Sequence, residues 1–178
     1  MLSGAVTGED AGRLVDTTFN SDKKVARCSF SMNYYLFRAL EAADRYNYAP
    51  LVFEGWEKML DLHCTTWCEN PDTPRSECHA WSSAPTYELS AMALGVYPTS
   101  DGYKTVRIKP MIENFDMDSA KGTVPTPYGI IDVSWEKKDG KFALDISLPS
   151  DEIIAEVVLP DGKTVANVKG KAKFECEI

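Results

Sequence analysis

Long apolar runs and clusters of basic residues are both missing from this sequence of 178 residues. No apolar run approaches the roughly 20 residues that a membrane-spanning helix needs, and the opening MLSGAVTGEDAGRL lacks the basic-then-apolar order of a signal peptide. Because a signal upstream of Met1 would leave the same pattern, the sequence assigns no compartment. A net charge of -8 without local excess of Lys or Arg would repel phosphate backbones and anionic lipid. We therefore expect neither nucleic acid nor a membrane surface as a partner.

Cysteine and histidine are scarce, with five and two residues. Five cysteines are too few for a disulfide scaffold at this length, and the odd count favours reduced thiols. Three of them, with both histidines, lie close together as His63, Cys64, Cys68, Cys78 and His79, so zinc has to be considered. Adjacent Cys78 and His79 could ligate one ion only with a contorted backbone, and the paired CxxC knuckles of zinc ribbons are absent. We predict no metal and no cofactor, and expect the cysteines to fill space as small apolar side chains.

The spacing of apolar residues changes once along the chain, and the 44% hydrophobic content is enough for a real core. Up to about Pro98 the period is helical, and after Gly102 it is two. The helical segments are residues 9–19, 30–40, 51–60 and 87–95, and the alternating ones are residues 103–109, 131–135, 142–148 and 155–159. Asp139-Gly140 is a strong signal for a tight hairpin, and Asp161-Gly162 marks a second turn.

This order predicts an α+β fold in segregated halves, because runs of helices precede runs of strands instead of alternating with them. We place helical hairpins in residues 1–98 and an antiparallel β-sandwich in residues 99–178.

One polar connection carries residues suited to a sugar site. A glycosidase needs carboxylates beside the scissile bond, aromatic faces for the apolar side of the ring, and polar groups for the hydroxyls. Glu69 follows Trp67 in a long connection between two predicted helices, where a carboxylate is free to point into a cavity. Since a loop glutamate is usually solvated, composition alone leaves an ordinary surface loop as the alternative.

The motifs TTWCE, CHAWS and KGTVPTPYG carry a resemblance to a known family. Residues 60–98, LDLHCTTWCENPDTPRSECHAWSSAPTYELSAMALGVYP, resemble the final helical hairpin of family 78 bacterial α-L-rhamnosidases. In that family a Thr-Thr-aromatic-x-Glu element precedes a His-Ala-Trp-Ser element. Residues 29–60 resemble the preceding hairpin, and GYKTVRIKPMI and AKGTVPTPYGIIDVSWE resemble the C-terminal β-sandwich. The resemblance spans nearly the whole chain.

The resemblance implies an inverting hydrolase that removes terminal α-L-rhamnose, built on a six-hairpin (α/α)6 barrel followed by a β-sandwich. It implies Glu69 as the general base, which activates a water opposite the acid that protonates the leaving oxygen. It also implies that His79 hydrogen-bonds a sugar hydroxyl, and that Trp67 and Trp81 wall the apolar face of rhamnose, with helix packing as the alternative for at least one of them. Many members have tryptophan directly before the glutamate, where this chain has Cys68, so the stacking aromatic stays open.

Other charged residues near this half have ordinary explanations. Glu54, Glu57 and Glu88 are expected on the surface, as charged side chains usually are. Glu77 is kept as a possible site residue because it shares the loop with Glu69. Arg75 could orient a carboxylate, but a solvent-facing arginine is the expectation.

The resemblance also indicates what the chain lacks. A six-hairpin barrel has twelve helices, whereas this sequence has room for about four at ~11 residues each plus loops. In the family, the general acid lies in an acidic stretch upstream of the base, and no such stretch precedes Glu69. We expect a C-terminal part of a rhamnosidase that acts on rhamnose-containing carbohydrate, and that is inactive alone. Its exposed barrel faces should cause self-association or leave the chain partly molten.

A non-catalytic module is the alternative function. A β-sandwich with a helical adaptor could bind carbohydrate through Tyr103, Tyr128 or Trp135, or brace a neighbouring domain. Trp135 shares the apolar face of its predicted strand with Ile131 and Val133, so it is expected in the core. The bracing role is therefore preferred over sugar binding for this half.

Overall fold

The computed structural model describes residues 1–23, 25–70, 72–113 and 116–178, so Pro71 of the predicted loop lies outside the described residues. The chain forms two compact units, Met1–Pro85 and Thr86–Ile178. Helices and sheets are both present, which confirms the mixed α+β prediction. Within the described ranges, no helix is long and apolar enough to cross a membrane.

Three helices form most of the first unit, and all three were predicted. They are α1 (Gly8–Phe19), α2 (Phe30–Ala42) and α3 (Ala49–Asp61). Glu9 and Asp10 lie in the first turn of α1, where acidic side chains interact favourably with the helix dipole. Pro50 occupies the first turn of α3, where its missing N–H is not needed. Both features favour a helix start at these positions.

The core of the first unit lies between α2 and α3. Phe37, Leu40 and Met59 are fully buried, and the indole of Trp56 is almost so. Trp56 packs on Phe30 with ring centroids 4.5 Å apart, and its Nε1 donates a hydrogen bond to the Ser82 carbonyl at 2.7 Å. That bond holds the segment after the polar loop against α3.

An ionic cluster joins α1 to the turn after α2. Arg45 Nε donates to both carboxylate oxygens of Asp16, at 2.9 and 3.1 Å, and the Tyr48 hydroxyl donates to Asp16 Oδ1 at 3.2 Å. The hydrogen bond from Arg45 lowers the pKa of Asp16, and the same bond raises the pKa of Arg45. The cluster therefore favours the charged form of both side chains.

The last predicted helix is shorter and less regular than expected. It consists of α4 (Ala84–Glu88), continued by a π-helical turn (Leu89–Ala93), and it ends at Gly95, whose φ is +89°. Leu94 belongs to the sandwich core, and the Met92 carbonyl accepts a hydrogen bond from the Met111 amide at 2.9 Å. These contacts explain why the second unit begins at Thr86, before the change of period at Pro98.

The surface position expected for Glu88 is wrong, because its side chain is 0% exposed. Glu88 ends α4 immediately before the π-helical turn, and the following Ala91, Met92 and Ala93 are buried as well. Residues three and four positions apart share one face of a helix, so Glu88 lies on the same buried face as Ala91 and Met92.

Eight strands in the described residues form two four-stranded sheets in the second unit. They are β1 (Val96–Pro98), β2 (Thr105–Ile108), β3 (Ser119–Thr126), β4 (Gly129–Lys138), β5 (Lys141–Ser147), β6 (Ile154–Val158), β7 (Thr164–Val168) and β8 (Lys171–Glu177). The sheet orders are β1-β2-β6-β7 and β3-β4-β5-β8. Antiparallel pairing was predicted throughout, but β2 and β6 are parallel. Strands distant in sequence can pair in either direction, whereas a tight hairpin requires antiparallel strands.

The two sheets share one hydrophobic core, as in a β-sandwich. Trp135 is 3% exposed and is paired with Leu144 across β4 and β5, which confirms its predicted core position. The predicted hairpin between these strands turns at Asp139 and Gly140, with φ of +51° and +74°. Positive φ at both central residues matches the right-handed twist of the flanking strands.

Candidate functional site

The predicted sugar site lies in the loop that follows α3. Its two arms pair as an irregular hairpin, in which the Glu69 amide donates to the Ser76 carbonyl at 2.9 Å and the His79 amide donates to the Trp67 carbonyl at 2.8 Å. The Thr66 hydroxyl also donates to the Glu77 carbonyl. These bonds bring Trp67 and Glu69 next to the segment that carries His79.

Asn70 organises the turn of this hairpin. Its side-chain oxygen accepts hydrogen bonds from the amides of Asp72 and Thr73, at 3.1 and 2.8 Å. An asparagine side chain that bonds amides two and three residues later forms a turn of the kind that a backbone carbonyl would otherwise support. The chain therefore reverses directly after Glu69.

Arg75 contacts the predicted base directly. Its Nη2 donates to Glu69 Oε1 at 2.5 Å and its Nε donates to Oε2 at 3.2 Å. The side chain of Glu69 is 11% exposed, whereas that of Arg75 is 85% exposed. Arg75 does face solvent, as the sequence indicated, but one edge of its guanidinium is committed to Glu69. The alternative role, in which Arg75 orients a carboxylate, is the one this contact supports.

The pair determines the charge of Glu69. The hydrogen bond from Arg75 lowers the pKa of Glu69 against the opposing effect of burial, and the nearby His79 adds a smaller electrostatic effect in the same direction. The pKa of Arg75 is raised by the same hydrogen bond. A carboxylate held in this way is ionised at neutral pH, which suits a group that accepts a proton better than one that donates it.

A surface cavity of about 490 Å³ adjoins the loop. Trp67 and His79 both line it, together with Thr65 and Thr66, so the structure brings together two of the four predicted site residues. Trp81 is outside this lining, but its ring centroid lies 4.1 Å from that of His79, and its side chain is 51% exposed. Of the described residues, Glu69 also lies outside the lining.

Thr65 and Thr66 were not expected at the site from the sequence, and Arg75 was expected to face solvent. The threonines precede Trp67 directly, and their hydroxyls are short groups that can contact a sugar. For Arg75 the available signal was the turn-forming Asn70 directly after Glu69, because a reversal of the chain there can return the arginine to the glutamate.

The other loop residues do not converge on Glu69. Glu77 is exposed, and its carbonyl, not its carboxylate, takes part in the hairpin. All five cysteines are free thiols. No three His, Cys, Asp or Glu side chains among residues 1–23, 25–70, 72–113 and 116–178 are placed to hold a metal ion.

The sandwich offers a different surface. Tyr103 and Tyr128 are half-buried against its core, and the Nε1 of buried Trp135 donates to the Ala93 carbonyl at 2.9 Å. A second cavity of about 510 Å³ lies over the polar face of β3, β4, β5 and β8, and its lining contains Asp145 and Lys173, which pair at 2.7 Å. That lining, taken from the described residues, contains no aromatic side chain for a sugar ring to stack on.

The second unit matches a known family. Residues 95–174 match the family model described as bacterial alpha-L-rhamnosidase C-terminal domain. Residues 95–174 are therefore similar to that domain. This similarity confirms the resemblance read from the sequence motifs. The matched residues contain β1 to β7 and the start of β8.

Two curated relatives agree with the family match. The chain is 39% identical over 67 residues to an alpha-L-rhamnosidase of Alteromonas sp. (strain LOR), and 36% identical over 66 residues to an alpha-L-rhamnosidase of Formosa agariphila. These alignments cover 38% and 37% of this chain. They cover 7% of each relative, so the chain spans a small part of their length.

Solved rhamnosidase structures share the fold. The alpha-L-rhamnosidase of Aspergillus terreus has a TM-score of 0.77 at 22% identity, over 93% of this chain and 21% of that one. The alpha-L-rhamnosidase of Dictyoglumus thermophilum has a TM-score of 0.79 at 16% identity, over 93% and 23%. The Streptomyces avermitilis alpha-L-rhamnosidase, solved with L-rhamnose, has a TM-score of 0.71 at 23% identity, over 80% and 17%. The fold of the chain is therefore one found in rhamnosidases.

Proposed function

We propose that this chain is the C-terminal part of an inverting α-L-rhamnosidase, in which Glu69 is the general base and the general acid comes from sequence outside the chain. The observation that carries the proposal is the shielded, arginine-bound carboxylate of Glu69, on the same loop as Trp67 and His79, which line a cavity. Residues 1–98 would then be the last hairpins of an (α/α)6 barrel, and residues 99–178 its β-sandwich.

Glu69 has the properties that base catalysis requires. In an inverting reaction the base must be ionised when water attacks the anomeric carbon, and it must point at that water throughout the step. The two hydrogen bonds from Arg75 fix the plane of the carboxylate and favour its ionised form. Arg75 is therefore a positioning residue in this proposal, since it acts through Glu69.

Trp67, His79 and Trp81 would bind the sugar. The cavity of about 490 Å³ falls within the range of about 300 to 1,000 Å³ that is usual for small-molecule sites. An indole covers the apolar face of a deoxy sugar, and the His79 imidazole can hydrogen-bond a hydroxyl. The contact between the His79 and Trp81 rings would place both groups at the same sugar.

The chain should not turn over substrate without the rest of the site. A proton-transfer partner typically contributes 10²- to 10⁴-fold, and the missing walls of the site would have positioned the substrate. We therefore propose that the isolated chain retains weak rhamnose binding and loses hydrolysis.

The test compares hydrolysis and binding in the same protein. Hydrolysis of an aryl α-L-rhamnoside should be absent from the chain and from Glu69→Gln. Saturation-transfer NMR with L-rhamnose should show contact in the chain, a loss of signal in His79→Ala and Trp67→Ala, and no change in Glu57→Gln, which alters an exposed acid of α3. Turnover that Glu69→Gln abolishes would show that the chain contains its own acid. Rhamnose contacts that persist in both site variants would rule out this sugar site.

The first unit also exposes apolar side chains. Met32, Tyr35, Leu51 and Leu62 are each at least half exposed. Exposed apolar surface of this kind favours association. We propose that the isolated chain self-associates through this unit.

A further inference from the structure

The thiols of Cys64 and Cys68 lie in contact. Their Sγ atoms are 3.7 Å apart, and either thiol could donate to the other. Both backbone amides are held by the same residue of α3: the Cys64 amide donates to the Met59 carbonyl at 3.0 Å, and the Cys68 amide donates to Met59 Sδ at 3.3 Å. Met59 is fully buried, so it anchors both cysteines to a rigid part of the first unit.

We propose that Cys64 and Cys68 form an intramolecular disulfide when the protein meets a small-molecule disulfide such as oxidised glutathione. A disulfide has an S–S distance of about 2.0 Å, so the two sulfurs must approach each other by about 1.7 Å. Rotation of two side chains can supply most of that movement. The proposal stands apart from the glycosidase function, because it depends on the thiol pair and not on sugar binding.

The environments of the two thiols differ, and this difference determines which cysteine reacts first with oxidised glutathione. Cys64 is half-buried and lines the cavity beside Trp67, whereas Cys68 is 5% exposed. Burial raises the pKa of the Cys68 thiol, and the neighbouring Cys64 adds to that effect. Because the thiolate is the attacking species, Cys64 reacts first.

The disulfide forms in two successive thiol–disulfide exchange reactions. The Cys64 thiolate attacks one sulfur of oxidised glutathione, which breaks the glutathione S–S bond, forms a mixed disulfide on Cys64 and releases one glutathione thiolate. Cys68 then loses its proton to solvent, and its thiolate attacks the Cys64 sulfur and releases the second glutathione thiolate. The two protein thiols are oxidised, and one glutathione disulfide is reduced to two thiols.

The disulfide would close a short ring that contains Thr65, Thr66 and Trp67. Cys68 directly precedes Glu69, so the bond would tie the start of the Glu69 turn to the end of α3. Three of the residues that line the cavity, Thr65, Thr66 and Trp67, would then be held inside the ring. Oxidation would therefore make the loop more rigid.

Tryptic mapping tests the proposal directly. Cleavage after Lys58 and Arg75 yields residues 59–75, whose two cysteines are Cys64 and Cys68, while the other three cysteines fall in separate peptides. The whole native chain is treated with oxidised glutathione, alkylated with iodoacetamide and digested. We expect the 59–75 peptide to lack two hydrogens and to carry no alkyl group, with both thiols recovered after dithiothreitol. Two of the five thiols should also disappear in a titration with Ellman's reagent.

Cysteine variants distinguish the Cys64–Cys68 disulfide from a disulfide through Cys78 and from a stable glutathione adduct. Cys78 also lines the cavity and is exposed, so Cys78→Ala is the matched control, and it should leave the internal disulfide unchanged. Cys68→Ala should retain glutathione on Cys64, because the resolving thiol is gone. Should that variant fail to fold, Cys64→Ala should leave Cys68 as an alkylatable thiol after unfolding. A peptide linked through Cys78, stable glutathione on Cys64 of the unaltered chain, or two alkylated cysteines in residues 59–75 would overturn the proposal.

Discussion

Arg75 donates hydrogen bonds to both carboxylate oxygens of Glu69, although the arginine side chain is 85% exposed and the glutamate side chain is only 11% exposed. The two residues are six positions apart in the sequence, and the exposed arginine favours the ionised form of the largely buried glutamate. This arrangement leads to the first of five predictions.

Replacing Arg75 should raise the pKa of Glu69 toward the usual value for a glutamate. In Arg75→Ala the main cause of the lowered pKa is gone, while the burial that opposes it remains. Arg75→Lys should restore part of the effect, because a single ammonium cannot bond both oxygens as a guanidinium does. Carboxyl ¹³C NMR titration measures the change directly. Arg13→Ala, which removes an exposed pair with Asp10, is the control and should leave Glu69 unmoved. An unchanged Glu69 pKa in Arg75→Ala would contradict the role of the pair.

The Asp16–Arg45 cluster should make the first unit sensitive to acid. Because the pKa of Asp16 is lower in the folded protein, the pair stabilises the fold fully above the unfolded value of about 3.9, and this contribution is lost as the pH falls through the folded pKa. Asp16→Asn should therefore lower the melting temperature at pH 7 and have little effect at about pH 2. Thermal unfolding followed by circular dichroism checks this. The exposed Asp10→Asn is the control, and an equal loss in Asp16→Asn at both pH values would refute the assignment.

Trp135 should contribute to stability through both its volume and its hydrogen bond. Trp135→Ala should destabilise the sandwich by about 3 to 5 kcal/mol, as large-to-small changes in cores do. Trp135→Phe should cost less, about 1 to 3 kcal/mol, chiefly by leaving the Ala93 carbonyl without its donor. Urea unfolding followed by far-UV circular dichroism measures both. Ile130→Ala, at a position 55% exposed in the same strand, should change stability by no more than about 0.5 kcal/mol.

Gly95 and Gly102 form a matched pair for backbone strain. Both have positive φ, +89° and +67°. A Cβ on Gly95 would lie 2.3 Å from the Pro110 nitrogen, whereas a Cβ on Gly102 would meet nothing within 4 Å. Gly102→Ala should therefore cost about 1 to 2 kcal/mol for its conformation alone. Gly95→Ala should cost about 3 kcal/mol or more, because the backbone of Pro110 has to move. Equal losses in the two variants, measured by chemical denaturation, would contradict this account.

The exposed apolar side chains of the first unit should cause the isolated chain to self-associate. Sedimentation velocity should show the average mass rising with concentration, and the double variant Met32→Gln, Leu51→Gln should shift the distribution toward monomer. Ile130→Gln changes an exposed side chain of the other unit and serves as the control. A compact monomer at every concentration would count against this proposal.

Local patterns in the sequence identified much of the fold. The helices were found because their apolar residues recur at helical spacing, and β4, β5 and the turn at Asp139-Gly140 were found because alternation and turn chemistry act within a few residues. β3 was not found, since Gly122 and Pro125 interrupt its pattern. It lies at the edge of its sheet, where a proline needs no ladder partner.

The sequence by itself determined the resemblance to α-L-rhamnosidases through its motifs, and these motifs identified Glu69, His79, Trp67 and Trp81 as candidate site residues. Only the tertiary structure decided that the side chains of Arg75 and Glu69, and those of Cys64 and Cys68, are in contact. It also decided that β2 and β6 pair in parallel and that Glu88 is buried. Sequence patterns report the local preferences of the backbone and which face of an element is apolar. Contacts across a turn or between distant strands depend on which segments the tertiary fold brings together. The local sequence pattern around each residue does not specify this.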